Sequence, residues 1–426
     1  MRIIMPSDVF PPDGKGGAAW SSHALALGLL QRGHTVTAIV PRRGGRGVAT
    51  EDALGVPALR VGYRAPNLPI IQNYFRHEHF WPQLARVIVD TAQRGPRPAI
   101  IHAQHVQTAP AAVLAGRALG VPVVVTVRDH WPWDYFATGL HGDQIPLPRQ
   151  GWAELLTDLP ARLGPVRGSL VALASPYLLA HRRRRAALLA QADAVIACSH
   201  YIAARLRVIM PAARVHVLPN LVDLATNQAR AAVRPQTRWN GALLLFAGKL
   251  EPNKGAGLLP AIFRELRALA PTDLPTFTLV VAGDGTLRDP LAAELAELGI
   301  PTTFLAWADH DETLRLMAHC DLLLFPSAWG EPLSRVLLEA AALGAPILAM
   351  PTGGTSDIIS DGRNGALAAT PRTFAQRLLS LLQDPGARQQ LGQRAQADAQ
   401  ARFDQRVMLP RYEALYASLQ RKHKFH

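Results

Sequence analysis

Short apolar runs alternate with stretches of helical periodicity twice along the chain, and this alternation limits the fold more than any other feature. Arg2 to Met5, Thr35 to Val40, Ile100 to Ala103, Val121 to Val127, Ala194 to Ala197 and Arg214 to Leu218 read as strands in the first half. Leu243 to Ala247, Phe277 to Ala282, Thr302 to Leu305, Leu322 to Phe325 and Pro346 to Ala349 repeat the habit in the second. Ala18 to Gly33 carries apolar residues at helical spacing and ends on glycine, as a crossover helix should. Each half therefore predicts a doubly wound parallel sheet, and two such halves put a ligand in a cleft at the carboxyl ends of the strands. At 426 residues the chain exceeds one ordinary core and suits two domains.

One segment of the second half carries chemistry of its own: Phe325-Pro326-Ser327-Ala328-Trp329-Gly330-Glu331-Pro332-Leu333-Ser334-Arg335-Val336-Leu337-Leu338-Glu339-Ala340. Pro326, Gly330 and Pro332 interrupt regular structure before Val336-Leu337-Leu338 opens a helix, so Glu331 falls on the loop and Glu339, eight positions on, inside the helix. One carboxylate then faces a sugar ring and the other a ribose, while the free N–H groups and positive dipole end of the helix cradle a diphosphate. Lys249 and Lys254, five positions apart on the turn after a strand, bring cations to the same phosphate. Lysine is otherwise present only as Lys15, Lys422 and Lys424, so two within one loop stand out. Together these residues point to a site for a nucleotide sugar.

Leu245-Phe246-Ala247-Gly248-Lys249-Leu250-Glu251-Pro252-Asn253-Lys254-Gly255 resembles the strand-then-basic-pair signature of retaining glycosyltransferases of family 4 with the GT-B fold. Further segments follow that family's order: Pro11-Pro12-Asp13-Gly14-Lys15-Gly16-Gly17, Arg32-Gly33-His34-Thr35-Val36, Leu218-Pro219-Asn220-Leu221-Val222-Asp223, Val281-Ala282-Gly283-Asp284-Gly285, and Gly353-Gly354-Thr355 with Asp361-Gly362-Arg363-Asn364-Gly365. The resemblance covers nearly the whole chain. It implies an α/β fold of GT-B type, with two Rossmann-like domains facing across a cleft. Residues 1–225 would form an N-terminal acceptor-binding domain, 226–240 a linker, 241–400 a nucleotide-sugar-binding domain, and 401–426 a C-terminal helix packing back on the first domain, with a tail.

By the same resemblance Lys249 and Lys254 are the diphosphate-binding pair, Glu331 contacts the transferred sugar and Glu339 holds the ribose hydroxyls. The amides of Leu333, Ser334, Arg335 and Val336 complete the cradle, and the side chain of Arg335 either neutralises phosphate or caps toward solvent. Gly16 and Gly17 bring an unobstructed loop to the diphosphate, Gly353 and Gly354 a similar one from the second domain, Gly283 joins the donor contacts, and Ala306 and Trp307 meet the base. The family's Thr-Val-His-Asp string reads Thr126-Val127-Arg128-Asp129-His130 here. Arg128 thus stands where a histidine usually meets the sugar, with Asp129 beside it and His130 as a second candidate for that contact. His102 reads as a satisfied core histidine or a cleft residue.

The implied reaction retains configuration by front-face attack of a hydroxyl acceptor on a UDP- or GDP-type sugar, without metal or other cofactor. Asp309-His310-Asp311 mimics a metal-binding Asp-X-Asp but precedes a helix and reads as its N-cap. Cell-envelope glycan, glycolipid or polysaccharide biosynthesis is the expected setting, with a glycan, a lipid or a small molecule as the hydroxyl-bearing acceptor, and a catalytically degenerate sugar- or membrane-binding subunit of the same fold is the alternative. Between Trp131 and Leu173 the periodicity fades, an insertion suited to acceptor recognition.

The two cysteines, Cys198 and Cys320, exclude a disulfide framework, and no secretory leader is expected, so the cytoplasm, with its membrane face as a further site, is the expected compartment. The formal net charge of +13, nearly all from arginine, attracts polyanions, but no nucleic-acid signature accompanies it. An anionic membrane is the better partner: Arg182-Arg183-Arg184-Arg185 follows the apolar stretch Leu170 to Ala180, which either lies in a bilayer interface or forms a core-facing helix with a solvated basic end.

Overall fold

In the computed structural model, which describes residues 1–14, 16–68, 70–142, 145–147, 150–306 and 308–424, the two halves form two compact units. One comprises Met1–Leu221 with Gln405–His426, the other Val222–Asp404. The first contains strands β1 (Arg2–Pro6), β2 (Thr35–Arg43), β3 (Val48–Asp52), β4 (Pro57–Tyr63), β5 (Ile100–Gln104), β6 (Val123–Val127), β7 (Leu140–His141), β8 (Ile145–Pro146), β9 (Ala194–Ala197) and β10 (Val215–Val217). The second contains β11 (Ala242–Ala247), β12 (Phe277–Ala282), β13 (Thr302–Leu305), β14 (Leu322–Phe325), β15 (Ile347–Ala349) and β16 (Ala366–Leu367).

The first sheet runs β10-β9-β6-β5-β1-β2-β4-β3, the second β13-β12-β11-β14-β15-β16. All neighbours are parallel except β3 with β4, and β7 pairs antiparallel with β8 as a separate ribbon. Runs such as Val123-Val124-Val125 are buried throughout, as strands covered by helices on both faces must be. In each sheet the chain starts centrally and builds outward in both directions, so β1 lies between β2 and β5, and β11 between β12 and β14. The loops leaving the carboxyl ends of such a central strand and its second neighbour diverge to opposite faces and open a crevice there.

The first core gathers Ile3, Met5, Val36, Ala38, Ile100, Val124 and Ile196 from the sheet and Leu25 and Leu29 from the helix Gly17–Gln31. Met408, Leu409, Tyr412 and Tyr416 of the terminal helix Gln405–Lys424 complete it. Each fully buried side chain of this kind contributes about 1.5–3 kcal/mol, so the last helix is integral to the first unit. Leu244, Phe246, Leu279, Val281, Leu322 and Leu324 form the corresponding layer of the second core, against Ile262, Phe263, Leu266 and Leu378.

Several segments differ from the sequence reading. Strands β3 and β4 escape it because β3, Val-Ala-Thr-Glu-Asp, is a mostly exposed edge without an apolar run. Within residues 226–240, expected as a linker, the chain is helical from Leu224 to Ala231, with Asp223 Oδ1 accepting from Thr226 N at 3.1 Å. The second half of the insertion after Trp131 is helical, as Trp152–Leu163 and Pro165–Ala172. Its periodicity is obscured because Trp152, Leu156, Leu163, Val166, Leu170 and Leu173 are apolar yet exposed. The stretch Leu170 to Ala180 is no single interfacial helix. It breaks before the helix Ser175–Leu189, in which Leu178, Leu179 and Arg185 are buried and Arg183 and Arg184 exposed. No helix among the described residues is long and apolar enough to cross a membrane.

The terminal helix is also tied to the first unit by charge. Glu413 receives Arg32 Nε at 2.7 Å, Arg32 Nη2 at 2.8 Å and His34 Nε2 at 2.7 Å. The hydrogen bond from Arg32, foremost, then that from His34 and both charges hold the Glu413 carboxyl at about 2 against the opposing effect of burial. Its folded pKa is depressed, so its stabilising contribution is complete above the unfolded value and vanishes as pH falls through about 2. Urea unfolding of Glu413→Gln should show lower stability at neutral pH and a shallower acid decline than the parent protein.

Candidate active site

β11 and β14 are adjacent and parallel, with Leu244 opposite Leu322, so the loops leaving their carboxyl ends meet. After β11 the chain passes Gly248 and the exposed Lys249 into a 3₁₀ turn, Pro252–Lys254. Gly255 closes the turn at φ +75°, where a Cβ would stand 1.8 Å from Pro326 O; only glycine lets the two loops come this close. The approach delivers Lys254 Nζ to 2.6 Å from Glu331 Oε2 and 4.3 Å from the centroid of the Trp329 ring. Glu331 itself is buried, and its backbone is pinned from the other side: Gly354 N donates to Glu331 O at 2.6 Å, and a Cβ on Gly353 would fall 2.3 Å from that oxygen. Gly353 and Gly354 thus support the Glu331 loop directly, a role the expectation of phosphate approach did not contain.

Past Pro332, Leu333 and Ser334 are buried and Ser334 caps the helix Arg335–Ala342, its Oγ accepting from Leu337 N at 3.4 Å. The amides of Arg335 and Val336 lie in the first turn of that helix, at its positive end. Glu339 is inside the helix and buried, as its place in the sequence implied. Its Oε1 accepts from Arg335 Nε at 2.7 Å and His310 Nε2 at 3.0 Å, while Oε2 carries neither bond. Arg335 therefore does not cap toward solvent; its Nε is committed to Glu339 one turn on. Burial pushes the Glu339 carboxyl up, but the charge of Arg335 and the hydrogen bond and charge of His310 outweigh it and keep the carboxyl below its ordinary value. Asp309 caps the helix His310–His319 through a 2.6 Å bond from Glu312 N, as the N-cap reading expects.

Gly283 follows β12, bonds Leu305 O at 3.1 Å and lies against the backbone of Gly248. Ala306 is exposed just past β13, and Trp307 lies outside the described residues. The second unit thus assembles Lys254, Glu331, Glu339 and the Ser334-capped helix end, with Lys249 and Gly283 at the ends of neighbouring strands.

In the first unit Gly16 caps and Gly17 begins the helix after β1, both exposed, and a Cβ on Gly16 would meet nothing within 4 Å. Packing alone does not require that glycine. Arg128 is buried, with Nε bonded to Asn220 Oδ1 at 3.0 Å. His130 is no candidate for sugar contact: it is buried against Trp133 and Tyr201, and a Cβ on Gly139 would reach within 2.5 Å of its Nδ1. His102 is the core histidine, bonded to Tyr416 Oη and Thr126 Oγ1 at 2.7 Å each, and burial with the nearby Arg128 charge pushes its pKa down to about 3. Asp129 is half-buried and pairs with His105, whose Nε2 lies 2.8 Å from Asp129 Oδ2. The sequence reading missed three residues with site contacts: Trp329, His310 and His105. His310 was visible only as part of a cap, and His105 only as the residue after an apolar run.

Cations at an open turn, two buried carboxylates with fixed partners and a capped helix start suit a diphosphate ester bearing hydroxyl groups. Comparison with known proteins agrees. Residues 15–226 match the family described as Glycosyltransferase Family 4, and residues 230–398 that described as Glycosyl transferases group 1. The glycogen synthase of Mycobacterium tuberculosis is 26% identical over a 438-residue alignment covering 99% of this chain and 95% of that protein. The D-inositol 3-phosphate glycosyltransferase of Stackebrandtia nassauensis is 37% identical over 134 residues, 30% of each chain. Among solved structures, Anabaena HepE in complex with UDP-glucose superposes with a TM-score of 0.65 at 19% identity, covering 98% of this chain and all of that one. Sucrose-phosphate synthase from Thermosynechococcus elongatus gives 0.66 at 18% identity, over 98% and 99% of the two chains. At such identities the structural likeness establishes the fold.

Replacing Arg335 by Met should leave Glu339 buried with His310 alone, a loss of about 3 kcal/mol at neutral pH. In the parent the depressed carboxyl stabilises above its unfolded pKa and stops doing so as pH falls. In Arg335→Met burial prevails, so urea unfolding between pH 4 and 8 should show the variant's deficit at neutral pH narrowing toward acid pH.

Proposed function

Because the chain belongs to the group 1, family 4 glycosyltransferases of GT-B fold, we propose that it moves a sugar with retention of configuration from a UDP- or GDP-type donor to a hydroxyl acceptor. The observation that carries this reading is the Lys254–Glu331 pair beside the capped start of the helix Arg335–Ala342. In this reading the helix amides and Lys249 and Lys254 neutralise the diphosphate as it departs, supplying the positive charge without a metal. Glu331 orients the sugar hydroxyls, and Glu339, with Oε1 fixed by Arg335 and His310, offers Oε2 to the ribose. The bond from the anomeric carbon to the phosphate oxygen breaks while the acceptor oxygen bonds on the same face, and the acceptor proton passes to the leaving phosphate. HepE, crystallised with UDP and UDP-glucose, makes uridine donors the first to screen.

The acceptor we propose is an envelope glycan, glycolipid or polysaccharide, met at an anionic membrane on which the first unit rests. Six of the seventeen large apolar side chains exposed among the described residues lie between 152 and 173. Trp152, Leu156 and Leu163 share one face of their helix, and Val166, Leu170 and Leu173 share one face of the next. Nearby carboxylates are turned inward: Asp134 accepts from the backbone of Phe136, Thr138 and Gly139, Glu154 from Gly151 N, and Asp158 from Gly142 N and Arg162. Arg167, Arg183 and Arg184 remain exposed. Exposed apolar side chains and exposed arginines in the same stretch of chain fit anionic headgroups over acyl chains.

Glu331→Ala and Lys254→Ala should each lower transfer from the preferred donor about 10²–10³-fold without lowering the melting temperature by more than a few degrees. Full activity in either would remove the site assignment, and nucleotide binding without transfer or hydrolysis in the parent would favour the degenerate subunit. Sedimentation with vesicles should show binding to phosphatidylglycerol-containing but not pure phosphatidylcholine bilayers, weakened by salt and abolished in Leu170→Glu/Leu173→Glu. A dimer split by the same double variant, with no vesicle binding, would assign the face to a second copy instead.

A further inference from the structure

The histidine missing at position 128 has a counterpart on the neighbouring strand. β5 and β6 are parallel neighbours with Gln104 opposite Thr126, so the residues just past their ends, His105 and Asp129, emerge side by side. His105 adopts φ +95°, a conformation that side chains other than glycine and asparagine rarely take and that surrounding structure must enforce. That backbone aims Nε2 at Asp129 Oδ2, 2.8 Å away, while Asp129 Oδ1 accepts from Trp131 N at 2.8 Å. Both side chains keep some exposure, 17% for His105 and 19% for Asp129. The pair lies at the carboxyl ends of β5 and β6, one strand from the switch point where β1 and β5 part. Asp8, just past β1, is committed there to Gln107 N and Thr108 N at 2.7 and 2.8 Å. His102 and His130 are locked in the interior and Arg128 is anchored to Asn220, so His105 is the imidazole at this edge with a ring still partly open.

We propose that His105 is a positioning residue for Asp129, and that the pair is the group with which the first unit grips a hydroxyl of the acceptor. The assignment rests on the glycosyltransferase reading above. The imidazole N–H fixes the carboxylate in one orientation, and the carboxylate accepts the substrate's O–H. Strain retained at the carboxyl end of a strand beside the switch point marks a functional constraint. The charged groups around His105 support the pairing: burial lowers its pKa, but the charge and hydrogen bond of Asp129 and the charge of Asp8 exceed that and the opposing Arg128, leaving it raised.

Three variants test this. Glycine takes φ +95° without strain, so His105→Gly should melt no lower than the parent. Its kcat/KM for acceptor should nevertheless fall about 10²-fold while donor affinity holds. His105→Gln, whose amide reaches the Nε2 position, should recover a large part of that loss, and Asp129→Asn should match His105→Gly. Transfer by His105→Gly at the parent's rate, or a loss of activity matched by a drop in melting temperature, would overturn the proposal. A readout free of turnover is the titration of His105 by histidine-selective NMR. It should lie above the ordinary value in the parent and below it in Asp129→Asn, where burial and Arg128 act unopposed by that carboxylate. An unchanged titration in Asp129→Asn overturns the pairing even if no acceptor is found. A parent protein that binds no nucleotide sugar yet shows the shift would fault the functional reading and leave the pairing standing.

Discussion

The candidate site around Lys254 and Glu331 depends on one topological constraint: β11 has β12 on one side and β14 on the other. Adjacent strands in a sheet lie about 4.8 Å apart, so the residues leaving their carboxyl ends have no choice but to meet. Lys254 and Glu331 are 77 positions apart in the chain, yet their contact follows from strand order plus two loops short enough to stay at the sheet edge. The glycines at 255 and 353 then set how close those loops come, because each occupies a place where a Cβ would overlap a backbone oxygen. Without them the ammonium and the carboxylate would be held apart by the side chains of their own loops.

The electrostatics of the second unit turn on two buried carboxylates with fixed partners. Taking a carboxylate out of water costs several kcal/mol, and a buried ion pair seldom improves on an apolar substitute. Glu339 is nevertheless buried with Arg335 and His310 both on Oε1. With both donors on one oxygen the group is fixed, and in the proposed reading the other oxygen is left for ribose hydroxyls. Glu331 follows a similar logic with a single cation, which also lies over the Trp329 ring. Lys254 is thereby held by charge on one side and by the ring's negative face on the other.

Much of this was legible in the sequence. The two parallel sheets follow from apolar runs such as Val121 to Val127, and the loop and helix places of Glu331 and Glu339 follow from Pro332 and the run at Val336. Side-chain commitment was not legible. That Arg335 turns to Glu339 rather than to solvent depends on a rotamer, and that Gly353 braces Glu331 depends on where β15 ends relative to β14. The arginine run at 182–185 misled in a similar way: periodicity places Arg185 on the same face as Leu178 and Leu189, but only the fold shows that this face is the interior. Strand β3 was lost because an exposed edge needs no apolar pattern.

In the proposed reading, the arginine at 128 is accommodated for a geometric reason. A side chain at the end of β5 and one at the end of β6 sample overlapping space, so a chemical group can migrate from one strand to the next without moving the site. What the migration demands is a change of direction. The residue after β5 would ordinarily continue extended and point its side chain to one face of the sheet; at φ +95° His105 turns instead along the sheet edge toward Asp129. Arg128, freed from the sheet edge, is withdrawn to Asn220, where its charge lowers the pKa of His102 and opposes the protonation of His105. The departure that looked like a defect in the family string is thus coupled to two other residues. Strand pairing, backbone conformation and charge at this edge have to be considered as one arrangement rather than as a missing histidine.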